Sequence, residues 1–312
     1  MLLFLSWVAC SVFFGTSYIA ANFLTKYPVS LEYMMFYRMM FSCIAIGIIA
    51  LLTKKRLLIK KQELIPSILV STSQLSVLLA TYGTKYVISG IVPCVTILQI
   101  FVAELLSAIV EKRKMRKNVV ISGYIGFIGI IMLCNQSLIG LDNVDTKNTI
   151  IGIMFSFIST FVSAGGNMIY EKNKTVFSNM PHITFLFYNC CFVSIFFLLF
   201  GLIFSQPNTL FNLKIIDVKY CFVVIWLSIT ATIIALLALY YIIEKQGAVK
   251  ATYMNFILPI ISMIISTFVE NFSWNFTAFV GMIILMYGVW IGIRTPVEKK
   301  TSFFKKFKFL HG

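Results

Sequence analysis

Apolar residues fill this chain in stretches of about twenty, each followed by a short polar or basic joint. At a rise of 1.5 Å per residue, a helix of about that length crosses a hydrocarbon layer roughly 30 Å thick. Ten such stretches are legible: 3–22, 32–52, 64–83, 87–109, 119–136, 150–170, 181–204, 218–241, 248–269 and 275–293. Joints such as those from Gly83 to Tyr86 and from Glu270 to Trp274 leave room only for tight helical hairpins. The pattern predicts an all-α membrane protein of ten transmembrane helices. The opening stretch lacks a basic leader and continues from Leu2 to about Ala21, so it is expected to be a retained span rather than a secretory signal.

Composition fits that picture. Hydrophobic residues make up 59% of the 312 and charged residues only 12%, with a mean hydropathy of +0.92. A soluble domain is usually about a quarter charged, so this chain has too little polar surface to face water. The net charge of +15 invites a nucleic-acid reading, but the basic residues cluster in the joints: Lys54, Lys55, Arg56, Lys60 and Lys61; then Lys112, Arg113, Lys114, Arg116 and Lys117; then the segment from Arg294 onward. With the N-terminus inside, alternate joints hold twenty Lys and Arg against five in the others. That is the positive-inside bias of an inner-membrane protein with both termini cytoplasmic, and no nucleic-acid partner is expected. The last residues, 295–312, are expected to form a basic cytoplasmic tail, with Phe and Lys interleaved from Phe303 to Phe309 either on the leaflet or simply frayed.

The two halves of the chain resemble each other in register. A shift of 151 places Phe36-Tyr37 on Phe187-Tyr188 and Gly15 on Gly166; a shift of 159 places Tyr82 on Tyr241, Ser107 on Ser266 and Val110-Glu111 on Val269-Glu270. Five stretches per half is an odd number, so the second half must enter the membrane upside down. The fold expected is therefore two inverted five-helix repeats, residues 1–136 and 150–294, an arrangement that suits alternating access.

Several ordered motifs resemble the drug/metabolite transporter superfamily, in particular its EamA-type ten-helix members. Phe14-Gly15-Thr16-Ser17-Tyr18 is similar to the family's W-G-x-x-[FY] opening. Tyr37-Arg38 and Thr84-Lys85-Tyr86-Val87-Ile88-Ser89-Gly90 also fit, as do Glu111, Gly123 and Gly129. The second half repeats the series with Gly247-Ala248, Pro259, Glu270, Gly281 and Gly288. The chain departs from the family at Phe14, where tryptophan is usual, and at Gln99-Ile100, where Leu-Pro is usual, while Pro93 stands earlier. The resemblance implies secondary transport of metabolites, amino acids or drugs through a cavity lined by spans one to four and six to nine, with spans five and ten at the periphery.

No nucleotide-binding, metalloprotease or hydrolase motif is present, and no enzyme activity or cofactor is expected. The two histidines lack metal-ligand neighbours at helical spacing, and the seven cysteines lie within apolar stretches as small core residues. Gly165-Gly166 is read as a close helix contact. Ionisable groups inside a span are costly and usually meet a cavity or a partner. Arg38 and Glu104 are the two clear cases, at depths too different for a mutual salt bridge, so Arg38 is expected to hold a carboxylate or phosphate and Glu104 a proton or an amine, with snorkelling as the alternative for each. Gln74, Gln99 and Asn255 are candidate cavity amides, and Tyr37, Tyr188, Tyr240 and Tyr241 candidate stacking surfaces for a solute. Hydroxyls such as Ser73, Ser76, Thr96, Ser228, Thr230 and Thr232 serve equally as glue between helices. One arginine with one glutamate suggests a zwitterionic or amphipathic solute, for example an amino acid or a derivative; a lipid or lipid-linked-sugar flippase, and more remotely a membrane enzyme, are the alternatives. Glycines spaced along spans five and ten (Gly123, Gly126, Gly129; Gly288, Gly292) form small-residue faces, for which a homodimer contact or a contact within the monomer is expected.

Overall fold

A computed structural model describes residues 2–139, 146–205, 217–272 and 274–293. The expected tail, 295–312, lies outside the described residues. Among those described the fold is all helical, as lipid requires: with no water to bond exposed N–H and C=O groups, each spanning segment must satisfy its own backbone.

Helices occupy the predicted stretches. They are α1 (Leu2–Thr25), α2 (Leu31–Leu52), α3 (Lys61–Tyr86), α4 (Ile91–Val110), α5 (Lys117–Ile139), α6 (Thr146–Lys172), α7 (His182–Phe204), α8 (Val218–Gln246), α9 (Ala248–Val269) and α10 (Phe276–Ile293). Eight of them are long and apolar enough to cross a membrane; within α5 and α10 the apolar runs are shorter, Lys117–Leu133 and Phe276–Gly292. Large apolar side chains such as Phe4, Leu52, Ile203, Phe204 and Phe276 stand exposed on the outer surface, an arrangement that water would penalise and hydrocarbon does not.

Four of these helices depart from α geometry midway. A 3-10 turn at Thr72–Gln74 interrupts α3, and a π-helical segment at Ser228–Ile234 interrupts α8. Four residues beyond Pro93, α4 breaks between Thr96 and Gln99, and α9 carries a 3-10 stretch at Thr252–Phe256 just before Pro259. Proline removes a backbone donor and crowds the preceding turn, which accounts for the interruption in α9, since Pro259 follows it; Pro93 stands in the first turn of α4, ahead of its break, and does not account for that one. The break in α4 is present although Gln99-Ile100 stands where Leu-Pro is usual in the family it resembles.

The helices pack in a regular scheme: α2 against α7, α5 against α10, α3 against α6, and α1 against α8 and α9. Small residues set the closest approaches. A Cβ built on Gly166 would stand 2.0 Å from Ser73 Cβ, so α6 meets α3 there with no space for a side chain, as expected for that glycine pair; Gly165 faces open space. Gly129 and Gly281 abut each other's carbonyls, and Gly288 and Gly292 sit on Gly126 and Ser122. The small-residue faces of α5 and α10 are therefore used against one another within the chain. They leave no argument for the homodimer expected through these helices.

Contacts fix the two ends of the bundle. The joints after α1, α3 and α9 meet at one end, where Glu270 reaches Asn22 and Ser89. The basic joints after α2 and α4 lie at the other, where the Arg56 carbonyl accepts from Thr184 at the start of α7.

Candidate functional site

The helix interruptions surround a central cavity. Among the described residues its walls come from α1, α2, α3, α4, α6, α8 and α9; α5 and α10 contribute nothing to them, and neither does α7, which the resemblance places among the lining spans. The cavity volume is about 110 Å³. One water needs roughly 10–15 Å³ by the same measure, so the space suits several waters or one small organic molecule.

Arg38 enters this cavity from α2. It is 4% exposed and lies in no ion pair among the described residues. Its Nε donates to Thr232 Oγ1 at 2.9 Å. The local backbone is stitched to receive it: Ser228 Oγ donates to the Arg38 carbonyl at 2.9 Å, and Ser42 Oγ donates to the carbonyls of Arg38 and Ser228 at 2.8 and 3.2 Å. Ser228 and Thr232 both belong to the π-helical segment of α8, a device that often marks a functional position because it redirects side chains from the ordinary helical register.

Three amides expected at the cavity are there. Asn255 Nδ2 donates to Gln99 Oε1 at 2.7 Å and to the Thr96 carbonyl at 3.1 Å; Gln99 Nε2 donates in turn to Ser163 Oγ at 2.9 Å. This relay ties α9 to α4 and α4 to α6 across the site. Gln74, the last residue of the α3 turn, completes the amide set beside Tyr240 of α8. The hydroxyls divide. Thr81, Thr84 and Thr160 line the cavity while donating back to carbonyls of their own helices, which leaves oxygen lone pairs to accept; Thr96 donates likewise to the Pro93 carbonyl and also meets the Tyr18 hydroxyl.

Glu104 lies elsewhere. Fully buried in α4, it accepts from Arg113 Nη1 at 2.6 Å and from Arg116 Nη2 at 2.7 Å, with the Arg116 backbone N–H at 3.3 Å. The joint after Val110 turns back through Lys112, at φ 51, and delivers both guanidinium groups to the carboxylate. The expectation that it faces solute or snorkels is replaced by a two-arginine clamp. As expected, it makes no bridge to Arg38.

Three of the four candidate tyrosines also fall outside the cavity walls. Tyr37 packs beside Phe36, and Tyr188 between Phe187 and Phe192. Tyr241 borders an open apolar groove between α1 and α8, with Lys245 Nζ 5.6 Å from its ring centre. Its neighbour Tyr240 is the one that lines the cavity, together with Tyr18 of α1.

Sequence reasoning passed over α6. Ser156, Ser159, Thr160, Ser163 and Asn167 recur at helical spacing, and the last four of these line the cavity. Asn167 is 5% exposed, and its Nδ2 has no acceptor. The polar stripe was the available signal; the adjacent Gly165-Gly166 drew attention away from it.

Comparison with known proteins gives the family. Residues 1–135 and 150–293 each match the profile of the EamA-like transporter family. An uncharacterized transporter in the trpA 3′ region of Buchnera aphidicola subsp. Schlechtendalia chinensis is 25% identical over 98% of both chains. A protein of known crystal structure, 12% identical, superposes with a TM-score of 0.64 over 92% of this chain and 94% of its own, a likeness of fold alone.

Proposed function

The chain belongs to the EamA-like transporter family, and from that premise we propose that it carries a small organic solute across the inner membrane by alternating access between two inverted five-helix halves, with both termini cytoplasmic. Residues 1–136 and 150–294 are the halves, α5 and α10 their outlying members, and the cavity around Arg38 the solute site. Transport is gradient-driven or by exchange.

The observation that carries this reading is a carboxylate latch closed at one end only. Glu270 Oε2 accepts from Ser89 Oγ at 2.8 Å and from the Ser89 N–H at 3.2 Å; Glu270 also accepts from Asn22 and Ser266. It thus binds α9 of the second half to α1 and the start of α4 in the first. The repeat shifts place Glu111 as its counterpart, with Asn173 and Ala248 as the counterparts of Asn22 and Ser89. Glu111 makes none of those bonds. Its partner is Arg113 in its own half, at 2.8 Å, and its side chain is 40% exposed, while the Ala248 N–H goes to Glu171 at 2.9 Å. A conformer latched at one end and released at the equivalent place on the other is what an inverted repeat produces on either half of its cycle.

Other pairs support the inversion. The packing of α3 on α6 mirrors that of α8 on α1. Arg38 of α2 bonds Thr232 of α8 as its counterpart Asn189 of α7 bonds Ser71 of α3, at 3.2 Å. The interruptions of α3 and α4 recur at equivalent places in α8 and α9.

The test is accessibility. With native cysteines replaced, Thr84→Cys and Asn255→Cys in oriented proteoliposomes are expected to react with membrane-impermeant thiol reagents from one side in the latched protein. Glu270→Ala is expected to raise labelling from the other side by about tenfold, as release of a charged hydrogen-bond network permits. Labelling that stays one-sided in every latch variant would rule out alternating access.

A further inference from the structure

The cavity wall carries a single kind of charge. Of the described side chains that line it, Arg38 alone is ionised at neutral pH; the others are apolar, hydroxyl or amide. Glu104, the acid that would have welcomed an amine, is fully buried between two guanidinium groups in another part of α4. A cation held in a low-dielectric site without a counter-charge is costly, and an anionic ligand relieves that cost. Thr232 supplies only a neutral oxygen to Nε.

Asn167 adds a second, independent observation, from α6. Its side chain is 95% buried by its 5% exposure, and the Nδ2 donor is left without an acceptor. An orphan donor inside protein is unfavourable, so its retention beside the cavity points to an acceptor that arrives from outside. The Thr81, Thr84 and Thr160 oxygens, whose hydrogens are already committed to backbone, are set to accept from hydroxyls on the same ligand.

Resting on the carrier reading above, we propose that the cargo is a small hydroxylated organic anion, whose acidic group is held by Arg38 and Asn167 and whose hydroxyl groups donate to the threonine wall. This replaces the zwitterion expected when both Arg38 and Glu104 were placed in the cavity. The recognised chemistry is a carboxylate or a phosphoryl group, both of which match a guanidinium fork.

Matched probes test it. Glycerate, glycerol phosphate, glycerol and 3-amino-1,2-propanediol share a three-carbon frame and differ in terminal charge; gluconate, glucitol and glucamine do so on six carbons. Melting of the full-length purified protein in detergent is followed against each probe at constant ionic strength, and the same probes are then used in proteoliposome counterflow. At least one anion is expected to raise the melting temperature saturably while its neutral and amine partners do not; glycerate against glycerol phosphate separates carboxylate from phosphoryl. Arg38→Gln and Asn167→Leu are each expected to weaken that binding about tenfold or more, the loss of one hydrogen bond to a charged group, whereas Arg38→Lys retains part of it. Asn167→Asp, nearly equal in volume, is expected to abolish anion binding while the protein still melts cooperatively, which guards against simple misfolding. Tighter binding of the amines, no saturable shift with any anion, or anion binding indifferent to Arg38→Gln would each overturn the proposal. Flux of a neutral or amine probe alone would do so while leaving the carrier intact. Anion binding without flux of any probe would instead keep the binding class and remove the carrier.

Discussion

Replacing Glu104 by glutamine separates a structural role from a transport role, because the residue sits in a clamp whose members are all identified. The carboxylate accepts four hydrogen bonds, three from the guanidinium groups of Arg113 and Arg116 through the close contacts at 2.6, 2.7 and 3.2 Å, and one from the Arg116 backbone. Arg113 is in turn held above its ordinary guanidinium value, first by its bond to Glu104. Glutamine keeps the volume but removes the charge, and its amide hydrogens meet cationic donors.

Removing one partner from a fully buried ion pair is unfavourable by about 3–5 kcal/mol. Two features reduce that here. Arg113 is 31% exposed and keeps Glu111 as a partner, and Arg116 is 13% exposed at the bundle end, so both cations relax towards water or headgroups. Destabilisation of about 2–3 kcal/mol is expected for Glu104→Gln, each lost charge-assisted bond being worth roughly 1.5–3 kcal/mol and partly recovered. On a chain of this size that lowers the melting temperature on the order of 5–10 °C. Because polytopic proteins unfold irreversibly in detergent, half-lives at one temperature should accompany the melting curves. In the Glu104→Gln background, Arg116→Gln is expected to be milder than on its own by about 1–2 kcal/mol, the coupling of a direct pair. Solute flux per folded molecule should fall little. If Glu104→Gln melted like the parent and yet lost flux, the clamp would not be the purpose of the residue, and a place on the solute path would return.

Other expectations are equally direct. Gly166→Ala places a methyl 2.0 Å from Ser73 Cβ and should destabilise by about 1–3 kcal/mol through overpacking, whereas Gly165→Ala meets nothing within 4 Å and should be neutral or mildly stabilising; melting curves of the two variants check both. Cys43 and Cys191 face each other from α2 and α7 with sulfur atoms 3.0 Å apart, so copper–phenanthroline should remove two hydrogens from the pair to form an intramolecular disulfide, seen by mass spectrometry and absent in Cys43→Ser. Gly247, at φ 92 with Glu171 2.9 Å from a built Cβ, should not accept alanine without loss of stability of about 1–2 kcal/mol, measured in the same melting assay.

The helices were readable from sequence because lipid imposes a length and an apolar composition on anything that crosses it. The stretches read at 32–52 and 248–269, for example, correspond to Leu31–Leu52 and Ala248–Val269. The central amides were readable for the same reason: Gln74, Gln99 and Asn255 are too polar to face hydrocarbon and too far from the ends to escape it. What was not readable is how a joint folds back. Arg113 and Arg116 counted as part of a basic loop, and nothing in their spacing announces that the turn at Lys112 returns both to Glu104. Nor could helical periodicity choose Tyr240 over Tyr241, since the π-helical segment upstream in α8 alters the register by which a 3.6-residue repeat would place them.

That register change belongs to a wider regularity, which locates the site from backbone alone. Of the seven helices that line the cavity, α3, α4, α8 and α9 leave α geometry at mid-length, at Thr72–Gln74, between Thr96 and Gln99, at Ser228–Ile234 and at Thr252–Phe256. Each interruption frees or lengthens backbone hydrogen bonds, and at membrane depth such groups persist only where protein or a wet cavity receives them. The cavity residues Gln74, Thr96, Gln99, Met254 and Asn255 lie in or directly beside these interruptions, and Thr232, which receives Arg38, lies within the π-helical one of α8. Two pairs of broken helices, one pair from each half, thus line the cavity that holds Arg38, which among the described residues is buried without a counter-ion. A bundle built only to be stable would have continued the four helices unbroken and left that charge out.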